Sequence, residues 1–233
     1  MKTHLLRSFS ALILGLALSG GSASAVTAFT ETFNTNASGW LTGNSVAPTY
    51  SATGGVGNSG YISFTSTFTS GASGPFGAPP LQTLIRGNAS ADASGDAFAG
   101  NWITSGVTTM TVAVRHNYNQ TLNLYARLDA GGGNAASLAS TASYAVASDT
   151  WTTITIPITN SNPPFLSYGG GDFNSVFGNI QNVQLGFYLP ANTTFTDFRI
   201  DVDNVSVAVP EPASLGLLAV AGAGIVLRRR RLA

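Results

Sequence analysis

Composition sets the first limits on this chain of 233 residues, which has no cysteine and equal numbers of acidic and basic residues. Residues 26–209 keep only four arginines and no lysine against nine acids, a net charge of −5. Disulfides and thiolate metal sites are therefore excluded, and nucleic acid is set aside as a partner because phosphate binding needs clustered Lys or Arg.

The N-terminus has the pattern of a secretory signal. A basic stretch over 2–7 is followed by an apolar run over 11–18, and Ala23 and Ala25 form a small-residue cleavage site. We predict that the Sec translocon exports the chain and that signal peptidase cuts after Ala25.

The middle of the chain alternates apolar and polar residues with a period of two, which indicates strands with one buried face. No convincing helical period occurs there, and glycine or proline interrupts every candidate helix. Strands of this kind must bury their apolar faces against each other, so we predict an all-β fold, an antiparallel β-sandwich of the jelly-roll type. The alternating segments are 61–68, 109–115, 122–128, 154–158, 183–189 and 198–208.

The last of these segments changes phase. Its apolar residues are even-numbered up to Val202 and odd-numbered from Val205. A shift of one residue within a strand is what a β-bulge produces, so we predict a bulge at Asp203–Asn204 that re-aims the Asp203 side chain.

The acids before this bulge are candidates for chemistry. Asp201 and Asp203 would face the same side of a strand about 7 Å apart, a spacing compatible with a glycosidase pair. No second feature supports catalysis, because His116, the one histidine after the signal segment, reads as a satisfied loop residue and no G-x-S-x-G elbow is present. We therefore predict that the protein is not an enzyme.

Four motifs resemble, in their order along the chain, the jelly rolls of laminin-B-like and carbohydrate-binding-module-like domains. They are Phe33 to Trp40, Gly57 to Ile62, Trp151 to Pro157 and Ile200 to Val205. The resemblance implies a structural calcium ion between the first and last strands, with Glu31 and Asp203 as ligands. The alternative is that these acids face solvent on an edge strand.

Aromatic residues outside the core parity are candidates for glycan contact. Tyr125, Arg127 and Tyr188 fall on predicted solvent faces of strands, and Tyr118 falls in an adjoining loop. Such side chains can stack on sugar rings and bond hydroxyls, although tyrosine also suits ordinary cross-strand packing. The tryptophans are predicted to pack in the core or at its rim: Trp40, Trp102 and Trp151.

The C-terminal tail is the most specific feature of the sequence. Pro210, Glu211 and Pro212 precede an apolar run over 213–227, and four arginines at 228–231 follow it. The run spans about 22 Å as a helix, short of a ~30 Å hydrocarbon core, and the arginines would hold its far end in the cytoplasm. The tail resembles the PEP-CTERM sorting signal, which implies processing by a membrane-embedded exosortase. The residues that form this motif are Pro210, Glu211, Pro212, Arg228, Arg229, Arg230 and Arg231.

Three segments are thus predicted: a signal peptide at 1–25, a β-sandwich domain at 26–208 and a sorting tail at 209–233. We expect an exported protein that is held transiently at the inner membrane and then reaches the cell surface or extracellular matrix. The leading hypothesis is binding to, or association with, exopolysaccharide, with no cofactor required. A secreted polysaccharide hydrolase and a structural surface protein without a ligand remain alternatives.

Overall fold

The computed structural model describes residues 25–69, 81–131, 137–140, 143–160, 165–167 and 170–210. The predicted signal segment up to 24, the tail from Glu211 onward and its apolar run lie outside these residues. Among the helices that are described, none is long and apolar enough to cross a membrane.

Within the described ranges the strands form two sheets, and one of them has six strands in the order β10-β6-β13-β4-β3, with β1 also paired to β13. Its strands are β1 (Phe29–Glu31), β3 (Thr49–Ser51), β4 (Tyr61–Thr67), β6 (Thr109–His116), β10 (Thr152–Pro157) and β13 (Asp197–Ala208).

The other sheet has seven strands in the order β11-β8-β7-β12-β5-β2, with β9 also paired to β7. Its strands are β2 (Leu41–Thr42), β5 (Leu81–Asn88), β7 (Leu122–Asp129), β8 (Ser137–Ser140), β9 (Tyr144–Val146), β11 (Phe165–Ser167) and β12 (Asn182–Tyr188). All pairings between strands of either sheet are antiparallel.

The core lies between the two sheets and is formed by the alternating residues that the sequence predicts. Ile62, Val112 and Val202 are buried on the six-stranded sheet, and Leu124 and Leu185 are buried on the seven-stranded sheet. Burying these apolar faces against each other is the main stabilising contribution to such a fold. The predicted antiparallel β-sandwich is confirmed, and all six predicted strands are present.

Strand β5 does not show the alternation, and a bulge explains why. Its partner β12 pairs Leu185 with Ile85 but Gly186 with Thr83, so Leu84 is an extra residue in the ladder. Both Leu84 and Ile85 are buried. Two adjacent inward residues break the period of two, which hides the strand from pattern analysis.

The predicted bulge in β13 is confirmed. The register with β6 shifts between Asp203 and Ser206, and Asn204 has a φ of 47°. The bulge also lies where β13 changes its other neighbour: β4 pairs with it up to Val202, and β1 pairs with it from Val205.

In the described part of the chain, two one-turn α-helices lie between strands and have no periodic signal in the sequence. Helix α1 (Trp102–Ser105) begins after Asn101, whose side chain accepts a hydrogen bond from the Thr104 nitrogen. Helix α2 (Phe173–Phe177) begins with a capping box in which Asp172 and Ser175 bond reciprocally. Their side-chain caps specify these short turns, because segments of this length have little intrinsic helix stability.

Candidate functional site

The outer face of the seven-stranded sheet carries two rows of polar side chains. Residues that face each other in antiparallel register point to the same side of a sheet, so the pairings of β5, β12 and β7 place these rows side by side. The first row is Arg86, Gln184 and Arg127, and the second row is Asn88, Asn182 and Asp129. We call these six residues the polar face.

Within the polar face, Arg127 is held by its neighbours. Its guanidinium donates to Oε1 of Gln184 at 3.5 Å and lies 3.6 Å from Oδ2 of Asp129. These contacts link Arg127 of the first row to Asp129 of the second row, and both side chains stay partly exposed. The positive charge of Arg127 and the negative charge of Asp129 sum to zero.

Asn182 occupies the centre of the second row, and only 8% of it is exposed. Its Oδ1 atom is buried and has no hydrogen-bond partner among the described residues. A buried acceptor without a donor costs about 1–3 kcal/mol, so an incoming hydroxyl or amide that donates to Oδ1 would recover that free energy.

A depression of about 380 Å³ opens beside Asn182. Asn88 and Asp129 of the second row also line it, and Asn88 keeps its own Oδ1 occupied by the nitrogen and hydroxyl of Ser90. The remaining lining residues are Ser90, Ala130, Gly131 and Gln181. Polar, convergent side chains around a concave surface can orient a ligand rich in hydroxyl groups.

Two tyrosines lie beyond the first row. The rings of Tyr125 and Tyr188 are 5.2 Å apart, and the Tyr188 hydroxyl crosses β7 to donate to the Ser140 carbonyl at 3.0 Å. Tyr188 is half-buried, and burial raises the pKa of its hydroxyl. Tyr125 is fully buried, so the predicted exposure of Tyr125 is wrong: the sheet face at this point is covered and the ring is packed.

The predicted exposure of Tyr118 is also wrong. Its ring packs against Phe68 and Phe198 inside the sandwich, with centroids 5.3 and 5.1 Å away. Its hydroxyl accepts from the Thr194 nitrogen at 2.8 Å and lies 3.1 Å from the Thr194 carbonyl. Tyr118 therefore anchors the segment before β13 and does not offer a surface to a glycan. Glycan contact by Arg127 and Tyr188 stays a prediction.

On the outer face of the six-stranded sheet, Asp201 is a structural carboxylate. It is fully buried and accepts from Nε of Arg115 at 2.8 Å, from Nε of Arg199 at 3.2 Å and from the Ser63 hydroxyl at 2.7 Å. Two arginines and a serine hydroxyl thus occupy both carboxylate oxygens of Asp201, and a glycosidase role for this residue stays an untested alternative.

Arg115, which bonds Asp201, is itself held by two aromatic rings. Its guanidinium carbon is 4.6 Å from the centroid of Trp151 and 5.4 Å from that of Tyr61. The Trp151 indole donates to the Gly54 carbonyl at 3.1 Å. Trp151 is thus a partly exposed packing residue at the rim, as predicted, whereas Trp40 and Trp102 are fully buried in the core.

Asp203 faces the segment that leads into β4. Its Oδ2 accepts from the Val56 nitrogen and the Ser59 hydroxyl, and its Oδ1 accepts from the Asn204 nitrogen. The alternative that Asp203 faces solvent on an edge strand is wrong, because β13 lies between β6 and β4 and Asp203 is fully buried.

Glu31 ends β1, opposite Val205 of β13, and its Oε1 accepts from the Phe33 nitrogen at 2.8 Å. In the described parts of the chain no three His, Cys, Asp or Glu side chains cluster as a metal site would require. Both Asp203 oxygens already accept hydrogen bonds from protein groups. This arrangement is typical of a carboxylate that cross-links two segments, whereas calcium ligands direct their oxygens at the ion. The calcium ion that the resemblance implied at Glu31 and Asp203 stays an untested prediction, and the hydrogen bonds of Asp203 lead us to expect no ion there.

His116 is the last residue of β6 and is fully buried, not part of a loop. Nε2 lies 2.9 Å from the Val146 carbonyl, and Nδ1 accepts from the Tyr118 nitrogen at 3.2 Å. Burial lowers the pKa of His116 below 6.5, opposed by the Val146 hydrogen bond and the charge of Asp149. Both ring nitrogens have hydrogen-bond partners, which confirms that this histidine is satisfied, although it lies in a strand and not in the predicted loop.

Sequence reasoning missed Arg86, Asn88, Asn182 and Gln184. Arg86 and Asn88 lie on β5, which the alternation did not predict because of its bulge. Asn182 and Gln184 lie on a strand that was predicted, but they belong to the face assigned to solvent and are buried. The available signal was the pair of amides at the start of the alternating segment 183–189, Asn182 and Gln184.

Comparison with known protein families identifies the tail. Residues 208–231 match the PEP-CTERM protein-sorting motif, as predicted from the sequence. The motif indicates an exported protein that is sorted to the cell surface. No curated protein matches the chain.

Solved structures similar to this chain include carbohydrate-binding and laminin domains. The CBM22-1–GH10 modules of Clostridium thermocellum endo-1,4-beta-D-xylanase 10B are 13% identical, with a TM-score of 0.45; the match covers 78% of this chain and 28% of that one. The CBM22-1 xylan-binding domain of Paenibacillus barcinonensis Xyn10C is also 13% identical, with a TM-score of 0.45 and coverage of 82% and 100%. The L4b domain of human laminin alpha-2 is 12% identical, with a TM-score of 0.35 and coverage of 64% and 98%. These neighbours are β-sandwich domains of the two kinds that the motif order resembles.

Proposed function

We propose that this protein is a non-catalytic exported protein that binds polysaccharide at the polar face of its seven-stranded sheet. The observation that carries the proposal is the buried, unpartnered Oδ1 of Asn182 beside a depression of about 380 Å³. A sugar hydroxyl is a donor of the right kind and size for this acceptor. The neighbouring amide and charged groups would bond further hydroxyls of the same chain.

The polar face is built on strands, not on loops. Arg86, Asn182 and Asp129 each come from a different strand of one hydrogen-bonded sheet. Side chains on such a scaffold are positioned before a ligand arrives, so little conformational entropy is lost on binding. Strands about 4.8 Å apart place the two rows on a surface about 10 Å wide, suited to short stretches of an extended polymer.

Binding to soluble polysaccharides tests the proposal directly. The full-length protein should be retarded in native gels that contain polysaccharide, and it should release no reducing ends from the same polymers. Reducing-end release would favour the hydrolase alternative. A protein that neither binds nor cleaves any polymer would be a structural surface protein without a ligand.

A matched pair of asparagine variants locates the site. Asn182→Ala removes the buried acceptor, and we expect affinity to fall about five- to tenfold, the equivalent of one hydrogen bond of about 1–1.4 kcal/mol. Asn174→Ala changes an exposed asparagine on α2 and should leave affinity unchanged. Equal affinities of the two variants would place the binding site elsewhere.

Sorting completes the proposal. The Sec translocon and signal peptidase would deliver the chain with Val26 at its N-terminus, and the Val26 nitrogen donates to the Ser105 hydroxyl at 2.8 Å, where the folded sandwich begins. Exosortase would then act near the Pro-Glu-Pro motif after a transient stay in the inner membrane. Mass spectrometry of the extracellular form should show Val26 first and no Arg231; an intact C-terminus would contradict processing.

A further inference from the structure

The four arginines of the described residues differ in how their charge is compensated. Arg115 and Arg199 both contact the Asp201 carboxylate, at 2.8 and 3.2 Å, and Arg127 lies 3.6 Å from Asp129. Arg86 contacts no carboxylate within the described ranges, and its Nε is buried without a hydrogen-bond partner. Arg86 is thus the one cation of this set whose partner is missing.

Arg86 stands in the first row of the polar face, opposite Gln184 and beside the Asn88–Asn182 pair. These neighbours are neutral amides, and the nearest charged pair across β12, Arg127 with Asp129, sums to zero. The polar face therefore carries one net positive charge, although the domain as a whole carries −5. Burying part of a guanidinium is costly unless an acceptor, preferably an anion, compensates it.

We infer that the polysaccharide recognised at the polar face is acidic and that Arg86 binds a carboxylate of a uronic acid residue in it. This inference rests on the proposed function. A guanidinium presents a planar fork of donors that matches the two oxygens of a carboxylate. Neutral hydroxyls could accept one hydrogen bond from Arg86 but would leave its charge uncompensated.

Polygalacturonate and its fully methyl-esterified form test the inference, because esterification removes the charge and keeps the sugar backbone. The full-length, unmodified protein should bind the acid form at least tenfold more tightly than the ester. This comparison needs no variant, so it stands even if a substitution at Arg86 prevents folding.

Two arginine variants complete the test. Arg86→Gln should weaken binding of polygalacturonate about 10- to 100-fold, the range of a charge-assisted contact, and should make acid and ester bind alike. Arg199→Gln, on the opposite sheet, removes the same charge and should bind polygalacturonate like the unmodified protein. A matching loss in both variants would show general electrostatic attraction and overturn the inference.

The outcomes separate the two proposals. Equal binding of acid and ester, with no effect of Arg86→Gln, would overturn the role of Arg86 and leave polysaccharide binding in place. Preference for dextran sulfate over polygalacturonate would overturn the carboxylate assignment in favour of a sulfate ester. If the protein binds none of these polymers and does not bind neutral xylan either, the proposed function itself is overturned.

Discussion

Asp203 and Val56 are joined across most of the domain: the Val56 nitrogen donates to Oδ2 of Asp203 at 2.8 Å, 147 residues away in the chain. The Ser59 hydroxyl donates to the same oxygen at 2.7 Å. This contact lies at the bulge where β13 exchanges β4 for β1 as its neighbour. It therefore ties the segment before β4 to the central strand of the six-stranded sheet, where the strand ladder is interrupted.

Replacing Asp203 by Asn should destabilise the fold. The asparagine amide has the shape of the carboxylate but no charge. Its NH₂ group is a donor, and it would face other donors, because the groups around this side chain are the Val56 and Asn204 nitrogens and the Ser59 hydroxyl. We expect the free energy of unfolding to fall by about 2–3 kcal/mol and Tm by about 4–12 °C. Asp96→Asn is the matched control, since Asp96 is exposed at a φ of 59°, where asparagine is well tolerated. Similar Tm values for the two variants would mean that the Asp203 contacts contribute little.

Removal of divalent cations tests the calcium prediction for Glu31 and Asp203. Because three protein donors already satisfy the Asp203 carboxylate, we expect EDTA to change Tm by less than about 1 °C. A larger fall in EDTA that calcium reverses and magnesium does not would show a structural calcium ion at this position.

Buried His116 should make the stability of the protein depend on pH. Its pKa in the folded state lies below the ordinary 6.5, so the unfolded chain takes up a proton first as the pH falls. The stability from neutral, buried His116 is complete above about pH 6.5 and is lost below it, with a slope of at most about 1.4 kcal/mol per pH unit. Urea unfolding at pH 7.5, 6 and 5 measures this loss.

A His116→Gln variant provides the comparison for the pH experiment. Glutamine can donate to the Val146 carbonyl but does not titrate, so the slope between pH 6.5 and 5 should become flatter in this variant. An unchanged slope would assign the pH dependence to other groups.

Gly87 should not tolerate a larger side chain, although it lies within β5. A Cβ atom there would be 2.7 Å from Cζ2 of Trp40, whose ring is fully buried and whose indole donates to Ser94. We expect Gly87→Ala to cost about 1–3 kcal/mol by overpacking. The same change should weaken polysaccharide binding, because Arg86 and Asn88 flank this residue on the opposite face.

The double variant Trp40→Phe, Gly87→Ala checks the cause. A smaller ring removes the close approach, so Gly87→Ala should cost less in the Trp40→Phe background than alone. Strictly additive free energies of unfolding would rule out a steric conflict between the two residues.

Alternation predicted six strands, among them β13 with its bulge, but it missed β5, where a bulge also interrupts the ladder. The phase change before Val205 revealed the bulge of β13, because apolar residues lie on both sides of it. Adjacent Leu84 and Ile85 concealed β5, because two inward residues in succession resemble no regular strand. Because β5 was not predicted, Arg86 was not recognised as a residue on a sheet face.

Position outside the apolar parity also predicted exposure poorly for the tyrosines. Tyr118 and Tyr125 fall outside the apolar parity, yet each finds hydrogen-bond or ring partners that permit burial. A phenol ring is mostly apolar surface, so burial is favourable once its hydroxyl is satisfied.

The class of fold, the bulge of β13 and the sorting tail could be predicted from the sequence, because each depends on patterns within short stretches of consecutive residues. The membership of the polar face could not be predicted in this way. Arg86, Asn182 and Asp129 come from different segments, and hydrogen bonding between β5, β12 and β7 sets their register. A period of two tells which face a residue occupies, but strand order and register, fixed by long-range pairing, decide which residues meet on it.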